Sequence, residues 1–136
     1  MNKDKILTRF DCERIQQLFE RYKTEDESEL RLIGMLKQYI NRSKHVDPRK
    51  IKSHVVTMNS KVILRNIGNG KTEEYHLVFP EDSDLKKKKL SVISGLGAQI
   101  LGSKTGTVIK DNTGSEQYYM IEEITYQPEA SGHYHL

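Results

Sequence analysis

The sequence predicts an α+β protein: a short antiparallel helical hairpin over residues 1–46, then a mainly antiparallel sheet with one short helix over residues 47–136. Three observations carry this. Apolar residues recur with the helical period as far as residue 43. From Val55 the pattern shortens to β-branched runs and period-two alternation. Between the two lies Asp47-Pro48, where proline disfavours helical geometry in the residue before it.

In the first helix Ile15, Leu18, Phe19 and Tyr22 fall at i, i+3, i+4 and i+7, one apolar stripe. Thr8 or Asp11 can cap it, because either side chain accepts a bond from the first free backbone N–H groups. A polar stretch, Lys23 to Ser28, follows. The second helix is expected from Glu29 to Ser43, with Leu30, Ile33, Leu36 or Lys37, and Ile40 along one side. Ser28 suits its cap, and Glu29 suits the dipole at its start. Two short helices with one stripe each, joined by a polar turn, read as an antiparallel hairpin.

In the second half, Val55 to Leu64 reads as a strand closed by the glycine-punctuated turn Ile67-Gly68-Asn69-Gly70. Thr72 to Phe79 alternates as a half-buried strand that Pro80 stops. Glu81 to Lys89 reads as solvated loop, and Leu90 to Ile93 as a short strand. Leu96 to Leu101 forms a short apolar helix ended by Gly102. Val108 to Lys110, a turn at Asn112-Thr113-Gly114, and Tyr118 to Tyr126 complete a hairpin.

At 136 residues the chain holds one ordinary domain and a small appendage. Its formal charge of +3 is mild for a dedicated duplex-DNA binder. A single cysteine, Cys12, excludes an internal disulfide framework and a Cys-rich zinc module. No signal-peptide core or run of membrane-spanning length is present, so a cytoplasmic protein without membrane contact is expected.

From Val55 onward the order of pieces resembles the C-terminal domain of the Gre transcript-cleavage factors. The matching residues are Asn59-Ser60-Lys61-Val62, Tyr75-His76-Leu77-Val78, Asp82-Ser83-Asp84, Leu90-Ser91, Ser94 through Gly102, and Tyr118 through Tyr126. Within that superfamily the chain resembles the Rnk branch. That likeness rests on Val55-Val56-Thr57-Met58-Asn59-Ser60, on Asp11-Cys12-Glu13-Arg14-Ile15, and on the ending Tyr126-Gln127-Pro128-Glu129-Ala130. The resemblance implies an FKBP-like fold for the sheet domain and RNA polymerase as the partner. Docking would be on the rim helices at the secondary channel, through Asp84, Ser91, Ser94, Gly95 and Leu96. DNA and RNA would be met only indirectly, by a monomer without cofactor. The family's Ser-Pro is Ser94-Gly95 here, and its Gly-Asp after the short helix is Gly106-Thr107.

The acidic turn Glu25-Asp26-Glu27-Ser28-Glu29 stands where Gre factors carry two carboxylates that help hold magnesium. Asp26 and Glu29 are the candidate pair, since oxygen ligands suit Mg²⁺ and a metal-activated water would cleave RNA. Reach decides against cleavage: helices of about 15 residues extend roughly 20–25 Å at 1.5 Å per residue, whereas cleavage-competent hairpins are longer. A solvated, helix-capping turn is therefore expected, with at most an electrostatic contact at the channel mouth. A regulator that competes with Gre factors is the leading reading, and a cleavage factor acting through Asp26 and Glu29 is the alternative.

Lys86–Lys89 reads first as a solvated loop that discourages edge pairing, and second as an aid to partner encounter. His133-Tyr134-His135 lacks further ligands for a metal site. Cys12 lies near a helix start, a place that can lower a thiol pKa, but without a companion histidine a packing or bystander thiol is expected rather than a nucleophile. The glycines lack the P-loop pattern and its βαβ context. Tyr118, Tyr119 and Tyr126 are sheet packing. Prolyl isomerase activity, which the FKBP-like fold raises, is disfavoured by the absence of tryptophan and by Phe79 being the only phenylalanine after residue 46.

Overall fold

Strand β1 (Ile6–Thr8) leads directly into helix α1 (Arg9–Arg21) in a computed structural model that describes residues 5–111 and 116–136. Thr8 rather than Asp11 is the cap, its hydroxyl accepting from the Asp11 N–H at 3.0 Å. The helix buries Cys12, Ile15 and Leu18, while Phe19 and Tyr22 stay half-buried. Helix α2 (Glu27–Arg42) starts two residues earlier than expected. Asp26, not Ser28, caps it, accepting from the N–H groups of Ser28 at 2.8 Å and Glu29 at 3.2 Å.

Ile33, Leu36, Tyr39 and Ile40 form the buried side of α2. Leu30 is 50% exposed and Lys37 is exposed, so the buried stripe is rotated toward Tyr39. Contacts ascending α1 descend α2. The Tyr22 hydroxyl meets Glu29, the Lys37 ammonium lies 5.5 Å from the Phe19 ring centre, and Gln16 shares a groove with Ile40 and Asn41. The two helices are therefore antiparallel. An unexpected strand, β2 (Lys44–Val46), pairs in parallel with β1 and joins the two ends of the hairpin at its base. Three residues are too few to give a readable period.

The run expected to be a strand from Val55 is buried through Met58 but becomes a strand only at Lys61. Ser60 Oγ accepts from the Thr57 N–H at 3.0 Å, and the Ser60 N–H returns to the Thr57 carbonyl, closing a turn with Asn59 at φ 68°. Strand β3 (Lys61–Asn66) follows, then β4 (Thr72–Val78), β5 (Lys89–Ser91), helix α3 (Gly95–Ile100), β6 (Val108–Lys110) and β7 (Tyr118–Tyr126). The five-stranded sheet has the order β5-β4-β3-β7-β6, antiparallel except for the parallel β4–β5 pair. The turn expected at Asn112–Gly114 lies outside the described residues. Val62, Leu64, Leu77 and Ile121 of the sheet, Ala98 and Ile100 of α3, and Ile15, Leu18, Leu36 and Ile40 of the hairpin join one continuous apolar cluster.

Candidate docking surface and hairpin tip

The chain leaves β4 through a short turn at Pro80–Asp82 and reaches Asp84, which caps a second turn, Leu85–Lys87, by accepting from the Lys86 N–H at 3.1 Å. Backbone bonds run both ways between Asp84 and Lys89, at 3.0 and 2.9 Å, and pinch this lysine-rich loop at its neck. Lys88, at φ 58°, turns the tip. Its ammonium donates to Glu73 at 3.0 Å and lies 5.7 Å from the Tyr75 ring centre. Lys86 and Lys87 are exposed, with no side-chain partner among the described residues. Lys89 therefore belongs to the sheet's edge strand, and Lys88 is a turn residue tied to β4 through Glu73.

Beyond the neck, β5 delivers Ser91. Its hydroxyl accepts from the Ile93 N–H at 3.0 Å, and its carbonyl accepts from the Ser94 hydroxyl at 2.6 Å. Ser94 in turn accepts from the Gly97 N–H at 3.0 Å and caps α3. A Cβ at Gly97 would stand 1.9 Å from the Ser91 carbonyl oxygen, so the approach of α3 to this loop requires glycine there. Gly95 is buried and Leu96 half-buried. Ser91 and Ser94 thus shape the surface through bonds to their own loop, while Asp84, Leu96 and the lysines are what it presents. No recorded hydrogen bond joins Asp84 to the Ser91–Ser94 pair among the described residues.

At the hairpin tip, Asp26 is exposed and bound to Ser28 and the Glu29 N–H, which holds its carboxyl below the usual carboxylate range. Glu29 accepts from the Tyr22 hydroxyl at 2.8 Å and from the Thr24 hydroxyl at 2.6 Å, and that bond pushes the Tyr22 phenol up. Each carboxylate is committed to a different local partner. Among the described residues no group of three or more His, Cys, Asp and Glu side chains could hold a metal ion. The two helices, of 13 and 16 residues, extend about 20 and 24 Å.

Sequence reasoning missed a polar junction beneath the hairpin. Asp11 is fully buried, its Oδ1 accepting from Arg14 at 2.6 Å and its Oδ2 from the Met58 N–H at 2.9 Å. Beside it, buried Glu129 accepts from the Thr57 hydroxyl at 2.7 Å. Burial raises both carboxyls above their ordinary range. Arg14 also donates to the Leu136 carbonyl at 3.0 Å, and the Tyr126 hydroxyl meets His133, so the last residues fold back onto the domain. Lys5, 4% exposed, donates to the carbonyls of Gln99 and Leu101, each at 2.6 Å, and lies 4.6 Å from the Tyr39 ring centre. Burial lowers its ammonium to about 7. The one available signal was Asp11 within the apolar-rich start of α1. Cys12 is a packing thiol, as expected: it is buried, and burial, with Asp11 and Glu13 nearby, pushes it up to about 12, overriding the helix dipole.

The family profile "Transcription elongation factor, GreA/GreB, C-term" matches residues 51–126. The chain is 32% identical to the "Regulator of nucleoside diphosphate kinase" of Escherichia coli strain K12, over 96% of each chain. It is 35% identical to transcription elongation factor GreA of Thermotoga neapolitana over 52% of its own length, spanning 46% of that protein. A solved structure described as prokaryotic transcription elongation factor GreA/GreB from Nitrosomonas europaea superposes with a TM-score of 0.74 at 29% identity, covering 90% of this chain and 98% of the other. The fold is shared with GreA factor homolog 1 of Thermus thermophilus, at 18% identity and a TM-score of 0.50. Its matched sheet domain, together with a Rnk-type relative aligned over nearly the whole length, shows that the chain belongs to the GreA/GreB transcription elongation factor family.

Proposed function

We propose that the chain is a transcription regulator that binds RNA polymerase at the secondary-channel rim, where Gre factors dock, and competes with them without stimulating RNA cleavage. It acts there as a cytoplasmic monomer, through the Asp84–Leu96 face of the sheet domain over residues 47–136. The observation that carries this reading is the hairpin over residues 1–46. Its helices end after about 20–24 Å, and the tip carboxylates Asp26 and Glu29 are engaged in capping and hydrogen bonds rather than paired as metal ligands. Support also comes from the relative named as a regulator, which aligns over nearly the full chain.

Such a protein displaces a Gre factor by mass action, needing only similar affinity and concentration. The test is a competition assay with labelled Gre factor on RNA polymerase, run beside backtracked elongation complexes in Mg²⁺. Displacement without cleavage is the expected result. No polymerase binding at micromolar protein overturns the docking, and cleavage above background assigns Asp26 and Glu29 the catalytic role instead.

A further inference from the structure

The mild charge of the whole chain conceals a local concentration. Residues 42–54, the connector between α2 and the buried run at Val55, contain Arg42, Lys44, Arg49, Lys50 and Lys52 against one acid, Asp47. Their formal +4 exceeds the +3 of the entire chain, so the remainder is net negative. All five cations are exposed. None makes a side-chain hydrogen bond or ion pair among the described residues, where the ion pairs of Arg and Lys are those of Arg14, Arg21, Arg65 and Lys88. Asp47 spends its carboxylate on the Arg49 N–H at 2.9 Å, capping the Pro48–Lys50 turn.

Tertiary structure adds cations on both flanks. The Thr8–Val46 pairing sets exposed Arg9 beside the connector. The Val55–Lys104 bridge and the bond from the Thr105 N–H to the His54 carbonyl bring Lys104 to its other end. The patch also lacks what a protein partner would need. None of the large exposed apolar side chains lies between residues 42 and 54; Val46 and Ile51 are half-buried, and the rings there are two imidazoles, of His45, which meets the Ile40 carbonyl, and of His54. Protein interfaces draw their energy from buried aromatic and aliphatic anchors, whereas a cation-only surface suits phosphates, whose binding is driven by counterion release.

We propose that the connector, residues 42–54 with Arg9 and Lys104, is a binding surface for the phosphodiester backbone of nucleic acid, engaged without regard to sequence. With no Phe, Tyr or Trp between residues 42 and 54, the surface has no large aromatic platform for base stacking, and the backbone is what its cations meet. The site is independent of the Asp84–Leu96 face, so it stands or falls separately from polymerase docking.

Fluorescence anisotropy with a short labelled single-stranded RNA, and with a DNA duplex of equal length, tests this on the full chain at several salt concentrations. Micromolar binding at low salt is expected, with log K falling against log salt at a slope of about −2 to −3 on the single strand. The variant Arg49→Gln/Lys50→Gln/Lys52→Gln should lose about 2 from the magnitude of that slope. A control of equal charge change, Lys86→Gln/Lys87→Gln/Lys110→Gln, should bind much closer to wild type. No binding to either nucleic acid at low salt overturns the proposal. Equal losses in the two variants overturn it as well, because they would reflect net charge alone. Polyglutamate competing as well as unlabelled RNA of the same charge would assign the surface to acidic protein instead. Preference between RNA and duplex identifies which backbone it serves.

Discussion

Asp11 does two jobs that pull against each other. As an ionised side chain in the first turn of α1 it suits the helix dipole, yet it is fully buried, where a charge is costly unless paired. Arg14 and the Met58 N–H supply the pairing, and through Met58 the helix is tied to the start of the sheet domain. Asp11→Ala should cost roughly 2 kcal/mol, because it leaves the buried Met58 N–H without its acceptor and takes from Arg14 its ion-pair partner, leaving the bond to Leu136; urea unfolding measures it, and a loss within experimental error would refute the account. Glu129 offers a pH test. Its folded-state pKa is raised, so the folded protein binds the proton more tightly than the unfolded chain. Its contribution to stability is therefore greatest at acid pH and declines as pH rises through the raised value. Glu129→Gln keeps an acceptor for Thr57 and cannot ionise. The variant should match wild type near pH 4 and exceed it at pH 7; urea midpoints at both values decide, and a variant weaker at pH 7 would show the opposite sign.

At the scale of elements, α3 owes its position to a missing atom. Ser94 caps it, Ser91 braces Ser94, and Gly97 lets the helix lie against the Ser91 carbonyl. Gly97→Ala should destabilise by about 3 kcal/mol through overpacking against backbone that cannot yield. It should also weaken polymerase binding in the competition assay, since α3 and the proposed docking loop must move together. The hairpin tip behaves differently. Asp26→Ala removes a cap from an exposed turn, so a small fall in melting temperature is expected while polymerase affinity stays unchanged. A large drop in affinity at unchanged stability would show that the tip contacts the partner directly.

Across the whole molecule, the apolar residues of hairpin and sheet belong to one cluster, and β1–β2 closes the base of the hairpin. Leu36 lies fully buried in α2 within that cluster. Leu36→Ala should cost about 3 kcal/mol and lower the melting of helix and sheet together. Far-UV and tyrosine near-UV circular dichroism should then trace one coincident transition in both proteins. Separate transitions would mean that the hairpin unfolds alone. The electrostatics of the whole molecule follow the same logic of placement: a chain of formal charge +3 concentrates its excess at the joint between its two parts.

The sequence by itself determined whatever repeats within a window of a few residues. The helical stripes around Ile15 and Ile33, the alternation along Thr72–Val78 and the glycine turn at Gly68–Gly70 could all be read from periodicity and turn chemistry. So could the acidic tip and the family likeness carried by Val55–Ser60 and Tyr126–Ala130. Tertiary structure decided what depends on residues far apart in the chain. Val55–Ser60 looks like a strand because it is β-branched and buried, yet Ser60 and Asn59 fold it into a turn and Asp11 holds it there. The pairing of β1 with β2 and the caging of Lys5 by Gln99 and Leu101 join segments too short or too distant to leave a local pattern. Cys12 shows the reason in one atom. Its place near a helix start argues for an acidic thiol, but burial disfavours the thiolate and neighbouring carboxylates repel it, and only the folded chain sets that environment.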